Sequence, residues 1–288
     1  MLGVLVLAVS SAASAWGNGG ISADQADPDY GGHDWIAERA ARLLPENESS
    51  YIFENRARFL YATEIPDFVL KDSRDHHVYF HADGRVLEDN AALKARDSFA
   101  ALVDALRNRD HPLAAERAGI LTHYIADLAV FGHVLSNKTV WGEEKHHGDF
   151  EDDGDEAMNS PESSTFAIQF DGSIGSADPY ESAIRVARAT TFGDGNLTAR
   201  WMDDNYVQAL QNWPPKFRER VQELISVAVN EIGDVLHTAA SLANYSVPLA
   251  RDPSSWPRLS ESQLLSLGIA IGVLLAVFAT IMLRNRRR

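Results

Sequence analysis

The stretch that decides the fold is Gly119–Val134, GILTHYIADLAVFGHV. It belongs to a run from Leu113 to Gly132 whose apolar residues recur at helical spacing, so it reads as a helix central to a domain. His123 and Asp127 lie four apart within it and therefore project from one face, one turn above the other. An ionised carboxylate among such apolar neighbours is costly to bury unless it is partnered. A metal ion would supply the counter-charge; a His–Asp hydrogen bond inside a core is the ordinary alternative. His133 follows six residues after Asp127, and on a continuous helix it would face roughly 240° further round. Gly132 offers a place for the helix to end and the chain to turn back.

Outward from this stretch the pattern stays helical. HDWIAERAARLL (33–44) places Trp35, Ile36, Ala40 and Leu43 at helical spacing and ends at Pro45. SYIFENRARFLYAT (50–63) reads as a single helix stopped before Pro66, and EDNAALKARDSFAALVDALRNR (88–109) is amphipathic. PYESAIRVARAT (179–190) and the long 214–243 segment, PPKFRERVQELISVAVNEIGDVLHTAASLA, repeat the period. Residues 16–32 read as an irregular arm, 67–84 as a polar loop, and 142–178 as the least ordered stretch. Strand-like alternation nowhere persists and there is no internal repeat, so the expected fold class is all-α.

Further candidate ligands sit in the loops. His147 and Glu151 in EKHHGDFEDDGDE are again four apart, while Asp152, Asp153, Asp155 and Glu156 read as a solvated acidic loop. GGHDW offers His33, EIPDF offers Asp67, and DHHVYFH offers His76, His77 and His81. Imidazole with carboxylate is donor chemistry that suits Zn²⁺.

Taken in order, GGHDWIAERA, YATEIPD, HHVYFHADG, THYIADLAVFGH and HHGDFE resemble the zinc-dependent phospholipase C family, with its His-x3-Asp-x5-His run and a later His-x3-Glu. The resemblance covers residues 16–151 and is only generally helical from 180 to 245. It implies a compact multi-helix fold with up to three Zn²⁺ ions. Asp67, His77, His123 and Asp127 would hold the first. Asp127 would bridge to a second, completed by His33 and by the free amino nitrogen and carbonyl oxygen of Trp16. His133, His147 and Glu151 would hold the third. Asp67 is also the catalytic general base that the resemblance implies. The doublets His76-His77 and His146-His147 each allow two registers, Asp149 or Asp152 is the alternative to Glu151, and His81, His111 and His237 have no role in this scheme. LAVFG between Asp127 and His133, and the short interval from Asp67 to His77, depart from the family pattern.

The two ends agree on one topology. Residues 1–15 read as a signal peptide: LGVLVLAV is apolar and Ala13-Ser14-Ala15 is the small-x-small pattern that precedes cleavage, leaving Trp16 first. Leu264–Leu283 is 20 residues without a charge, long enough to span a bilayer, and RNRRR follows at once. The expected organisation is a domain over 16–245, a Pro/Ser-rich linker over 246–262, a transmembrane helix over 263–283 and a basic cytoplasmic tail over 284–288. Basic residues favour the cytoplasmic side, which puts the domain outside and the protein in the cell membrane as a single-pass chain. The sequons at Asn47, Asn137, Asn196 and Asn244 would then face outward.

The formal net charge is −15; setting aside the four terminal arginines leaves 22 basic residues against 41 acidic ones, about −19. Such a surface repels polyanions, so no nucleic-acid partner is expected. There is no cysteine, hence neither a disulfide nor a thiol nucleophile. The expectation is a membrane-anchored phosphodiesterase acting on phospholipid. The alternatives are a single-strand nuclease of the same superfamily, a phospholipase D-like cut, and a non-catalytic domain that zinc merely stabilises.

Overall fold

The computed structural model describes residues 30–246. Trp16, the expected signal peptide, the linker beyond Ser246, the expected membrane helix and the basic tail lie outside these residues. The fold is mostly helical: α1 (Gly32–Ala41), α2 (Glu46–Phe53), α3 (Arg56–Thr63), α4 (Asn90–Arg107), α5 (His111–Ala126), α6 (His147–Met158), α7 (Pro179–Phe192), α8 (Ala199–Asn205) and α9 (Pro215–Leu242). Among the described residues no helix is long and apolar enough to cross a membrane.

Helix α5 is the axis of the domain, packed against α3, α4, α1 and α9. Asp110 caps its start, its side chain accepting from the Leu113 amide at 3.1 Å, with Pro112 in the first turn where no amide donor is needed. From Ala118 to Ala126 every residue is buried, so this half of the helix touches protein on all sides. Gly119 makes that possible: a Cβ there would lie 2.3 Å from the Phe59 carbonyl oxygen and 2.7 Å from the Ala62 Cβ. The close approach brings the end of α3 against the next turn of α5, where His123 Nδ1 meets the Thr63 carbonyl oxygen at 2.7 Å. Gly119→Ala will therefore force α3 and α5 apart, lowering stability by about 1–3 kcal/mol of overpacking. Thermal unfolding measures the loss.

Three expectations need correction. The helix read from Leu113 to Gly132 ends at Ala126; two 3₁₀ turns follow, Asp127–Ala129 and Phe131–His133, with extended backbone at Val130 between them. Thr190 of α7 donates to the Leu128 carbonyl oxygen at 2.6 Å, satisfying an acceptor that the broken helix leaves open. The helix read over 50–63 is two, because Asn55 leaves helical geometry with φ −121° and ψ 35°. The stretch 142–178 is far more regular than its composition suggests. It holds α6, whose Asp153 is buried, accepting from Tyr206 Oη at 2.7 Å and Trp213 Nε1 at 3.2 Å. Beyond α6 an extended strap lies along α9. The amides of Ala167, Gln169, Asp171, Gly175 and Ala177 donate to Gln222, Ser226, Asn230, Asp234 and Thr238, acceptors spaced four apart on one helix face. A small antiparallel hairpin, β1 (Tyr79–Phe80) with β2 (Val86–Glu88), interrupts the loop before α4.

Candidate metal centre

The break after α5 builds the site. Because the chain turns at Val130 rather than continuing as a helix, His133 returns toward Asp127, its Nε2 3.7 Å from Asp127 Oδ1. Asp127 is fully buried and faces imidazoles on both sides. Oδ1 lies 3.1 Å from His33 Nε2 at the start of α1, and Oδ2 lies 3.0 Å from His76 Nδ1 and 3.2 Å from His123 Nε2. Asp67, on a π-helical turn over Ile65–Leu70, closes that side with Oδ1 3.3 Å from His76 Nδ1 and 3.8 Å from His123 Nε2. On the opposite side His147 Nε2 lies 2.6 Å from Glu151 Oε1 and 3.2 Å from His133 Nε2, one helical turn of α6 supplying both His147 and Glu151.

Three donor groups result, each with its ligand atoms within 4.8 Å of one another: His33, Asp67 and His123; His76, His123 and Asp127; His133, His147 and Glu151. His33, Asp67, His123, Asp127, His133, His147 and Glu151 thus come together as neighbours. His77 does not join them, and His76 stands in its place. His76 closes the 3₁₀ turn Ser73–Asp75 with φ −95° and ψ 6°, before the chain enters β1. His76 turns inward while the His77 ring lies 5.1 Å from that of His133, where burial, with His147 nearby, lowers its pKa to about 4. In the other doublet His147 is the ring that turns inward, toward Glu151. Asp203 of α8, fully buried, accepts from the amides of Lys145 and His146 at 3.0 and 3.1 Å, and its Oδ1 lies 3.1 Å from the His146 ring. Gly132 leaves room for the inward ring, since a Cβ there would fall 2.3 Å from His147 Cδ2. His81 is exposed, and His111 and His237 face Glu54 and Glu48 away from the groups.

The donor atoms are suited to a metal. Asp67 Oδ2, both oxygens of Asp127 and of Glu151, and Nε2 of His33 are buried yet meet no partner in hydrogen-bonding geometry. Leaving so many buried polar atoms unpaired is costly unless something else binds them. Two donors held at about 2.0–2.1 Å by one tetrahedral zinc stand roughly 3.3–3.4 Å apart. The spacings of 3.0–3.7 Å around Asp127 bracket that value. The electrostatics ask for cations as well. Burial pushes Glu151 up to about 8 even beside His147. Burial also opposes charge on His76 and His147, yet Asp127 and Asp72 for the one, and Glu151 and Glu144 for the other, raise both to about 10.

The sequence profile described as zinc dependent phospholipase C matches residues 32–194, more than half of the chain. The chain belongs to the zinc dependent phospholipase C family. No curated protein matches it. Among solved structures, the alpha-toxin of Clostridium perfringens from avian strain SWCP is similar at 15% identity and a TM-score of 0.48, the match covering 80% of this chain and 68% of that one. Zinc dependence in this family accords with the imidazole–carboxylate donor groups.

A pH dependence follows. Without metal, folded Glu151 keeps its proton up to about pH 8, and folded His76 and His147 keep theirs up to about pH 10, whereas the unfolded chain has released them near 4.5 and 6.5. The folded state then binds more protons than the unfolded one, so stability falls as pH rises through 6.5 to 8, where the windows overlap. Zinc takes these ligands deprotonated and removes that dependence. Thermal unfolding with a chelator at pH 6.5 and 8 should show a lower midpoint at pH 8, and excess zinc should abolish the difference.

Proposed function

We propose that this protein hydrolyses phospholipids at the headgroup phosphodiester, as a zinc-dependent phosphodiesterase of the phospholipase C type. The observation that carries the reading is Asp127, one buried carboxylate whose two oxygens face separate sets of imidazoles at 3.0–3.7 Å. Asp67, His76, His123 and Asp127 would hold one ion. His33, sharing Asp127 and joined by the freed amino terminus of Trp16, would hold a second; His133, His147 and Glu151 would hold a third. Zinc bound there would supply Lewis-acid stabilisation of the phosphate oxygens and a lowered pKa for attacking water.

The protein's own groups divide the remaining work. Asp67 is 9% exposed at its side chain against 0% and 1% for Asp127 and Glu151, so it is the carboxylate of the cluster that water reaches. As the least enclosed carboxylate of the cluster, Asp67 is the group that would take the proton from the attacking water. Asp127 and Glu151, sealed inside, hold the centre together. A protein nucleophile is unnecessary in this scheme, in keeping with a chain that has no cysteine.

The same proposal places the domain on the outer face of a membrane, anchored through residues 264–283, with the acidic surface disfavouring nucleic acid. The test is the full chain purified in detergent and offered phosphatidylcholine or single-stranded DNA, with and without chelator. Phosphatidylcholine should be cleaved, chelation should stop the reaction, and added zinc should restore it. Cleavage of DNA in place of lipid would transfer the assignment to the nuclease branch of the superfamily.

A further inference from the structure

A carboxylate outside the three donor groups controls how His76 enters them. Asp72 precedes the 3₁₀ turn Ser73–Asp75, and its Oδ1 lies 2.8 Å from His76 Nε2. Its other oxygen accepts from Lys94 Nζ of α4 and from Tyr124 Oη of α5, each at 2.8 Å. Lys94 also reaches Asp75 at 3.0 Å, closing the turn from both ends. Both oxygens of Asp72 are thereby engaged, and three separate elements hold the carboxylate in place.

Its chemistry then dictates the tautomer of the ring. An ionised carboxylate only accepts hydrogen bonds, so the contact at Nε2 requires the proton on that nitrogen. A neutral imidazole protonated at Nε2 presents a bare lone pair at Nδ1. His76 Nδ1 is the atom that faces Asp67 Oδ1 at 3.3 Å, Asp127 Oδ2 at 3.0 Å and His123 Nε2 at 3.3 Å. His123 is oriented the same way by a different partner, its Nδ1 directed at the Thr63 carbonyl oxygen and its Nε2 at the cluster.

We propose that Asp72 is a positioning residue: through its bond to Nε2 it fixes His76 as an Nδ1 zinc donor and so selects His76 over His77. The inference rests on the zinc reading of the site. An outer carboxylate on a ligating histidine raises its donor strength and locks its orientation, and losing one costs 10–100-fold in metal affinity. Lys94 and Tyr124 keep Asp72 from swinging inward to become a ligand itself.

The test uses the full chain and zinc itself, read by competition against a chelator of known affinity. Asp72→Ala should weaken zinc binding toward the upper end of that range, about 100-fold. Asp72→Asn, which keeps an acceptor but not the charge, should weaken it toward the lower end, about 10-fold. In a His76→Gln background, Asp72→Ala should cost nothing further, because a residue acting through His76 has nothing left to act on. A purely structural role would lower the melting temperature of the metal-free protein and leave zinc affinity untouched. Wild-type affinity in Asp72→Asn, or in Asp72→Ala where that variant folds, overturns the proposal alone. A wild-type chain that binds no zinc overturns the zinc reading together with it.

Discussion

Asp127→Asn should remove the proposed phospholipid turnover, by on the order of 10³-fold or more, and strip zinc from both sides of the site. The substitution is nearly isosteric, so the volume of the buried pocket is kept and only the charge is lost. That charge faces His33 and His133 from one oxygen and His76 and His123 from the other, at 3.0–3.7 Å. Four imidazoles converging on a neutral amide leave any ion without the anionic ligand its neighbours share. Several kcal/mol of transition-state stabilisation depend on the bound metal, and each factor of ten in rate is about 1.4 kcal/mol. Metal analysis of the purified variant beside wild type, with turnover of phosphatidylcholine, measures both losses. Wild-type zinc content in Asp127→Asn would show that the two faces of this carboxylate do not serve metal sites.

Asp67→Asn produces the second large effect, a fall in kcat of roughly 10²–10⁴-fold, the usual contribution of a general base. Unlike Asp127, Asp67 is not fully buried: its side chain, on a π-helical turn, keeps 9% exposure. The group of His133, His147 and Glu151 does not include it, so zinc there should survive the substitution. The distinguishing measurement is the pH–rate profile alongside zinc content. Loss of the acid limb with zinc retained assigns Asp67 the proton transfer; loss of rate in proportion to lost zinc assigns it ligation alone.

The large helices were legible because each carries its own apolar period: α4 and α9 lie within the segments read as helical, while α5 begins earlier, at His111, and α7 runs on to Phe192. What the period did not reveal was where a helix breaks for tertiary reasons. The end of α5 after Ala126 depends on Thr190 of α7 capping Leu128, and the gap between α2 and α3 carries neither Gly nor Pro to mark it. Helix α6 was obscured by its acidic residues, although Phe150, Gly154 and Ala157 recur at helical spacing and are buried. The strap over 167–177 had no local signal, since its order comes from acceptors on α9 more than fifty residues away in sequence.

The candidate site was readable to the extent that its spacing is local. His123 with Asp127, and His147 with Glu151, are one-turn pairs on a helix, and the structure places each pair side by side. The choice between His76 and His77 was not local to the doublet, but a signal stood nearby. Asp72 is four residues before His76, as Glu151 is four after His147, and its pairing with the first histidine turns the second away. Asp203 left no comparable trace; its hold on the Lys145–His146 backbone is made across the fold from α8.

The central claim is that this cluster is a zinc centre that hydrolyses a phosphodiester. Titrating zinc into the chelator-stripped full chain, while following phosphatidylcholine cleavage at each step, tests it most directly. Activity should rise from baseline and saturate at two to three zinc equivalents per chain, and His123→Ala should stay at baseline throughout. Tight, stoichiometric zinc binding with no phosphodiester hydrolysed at any point of the titration would contradict it, leaving zinc as a structural support for the fold.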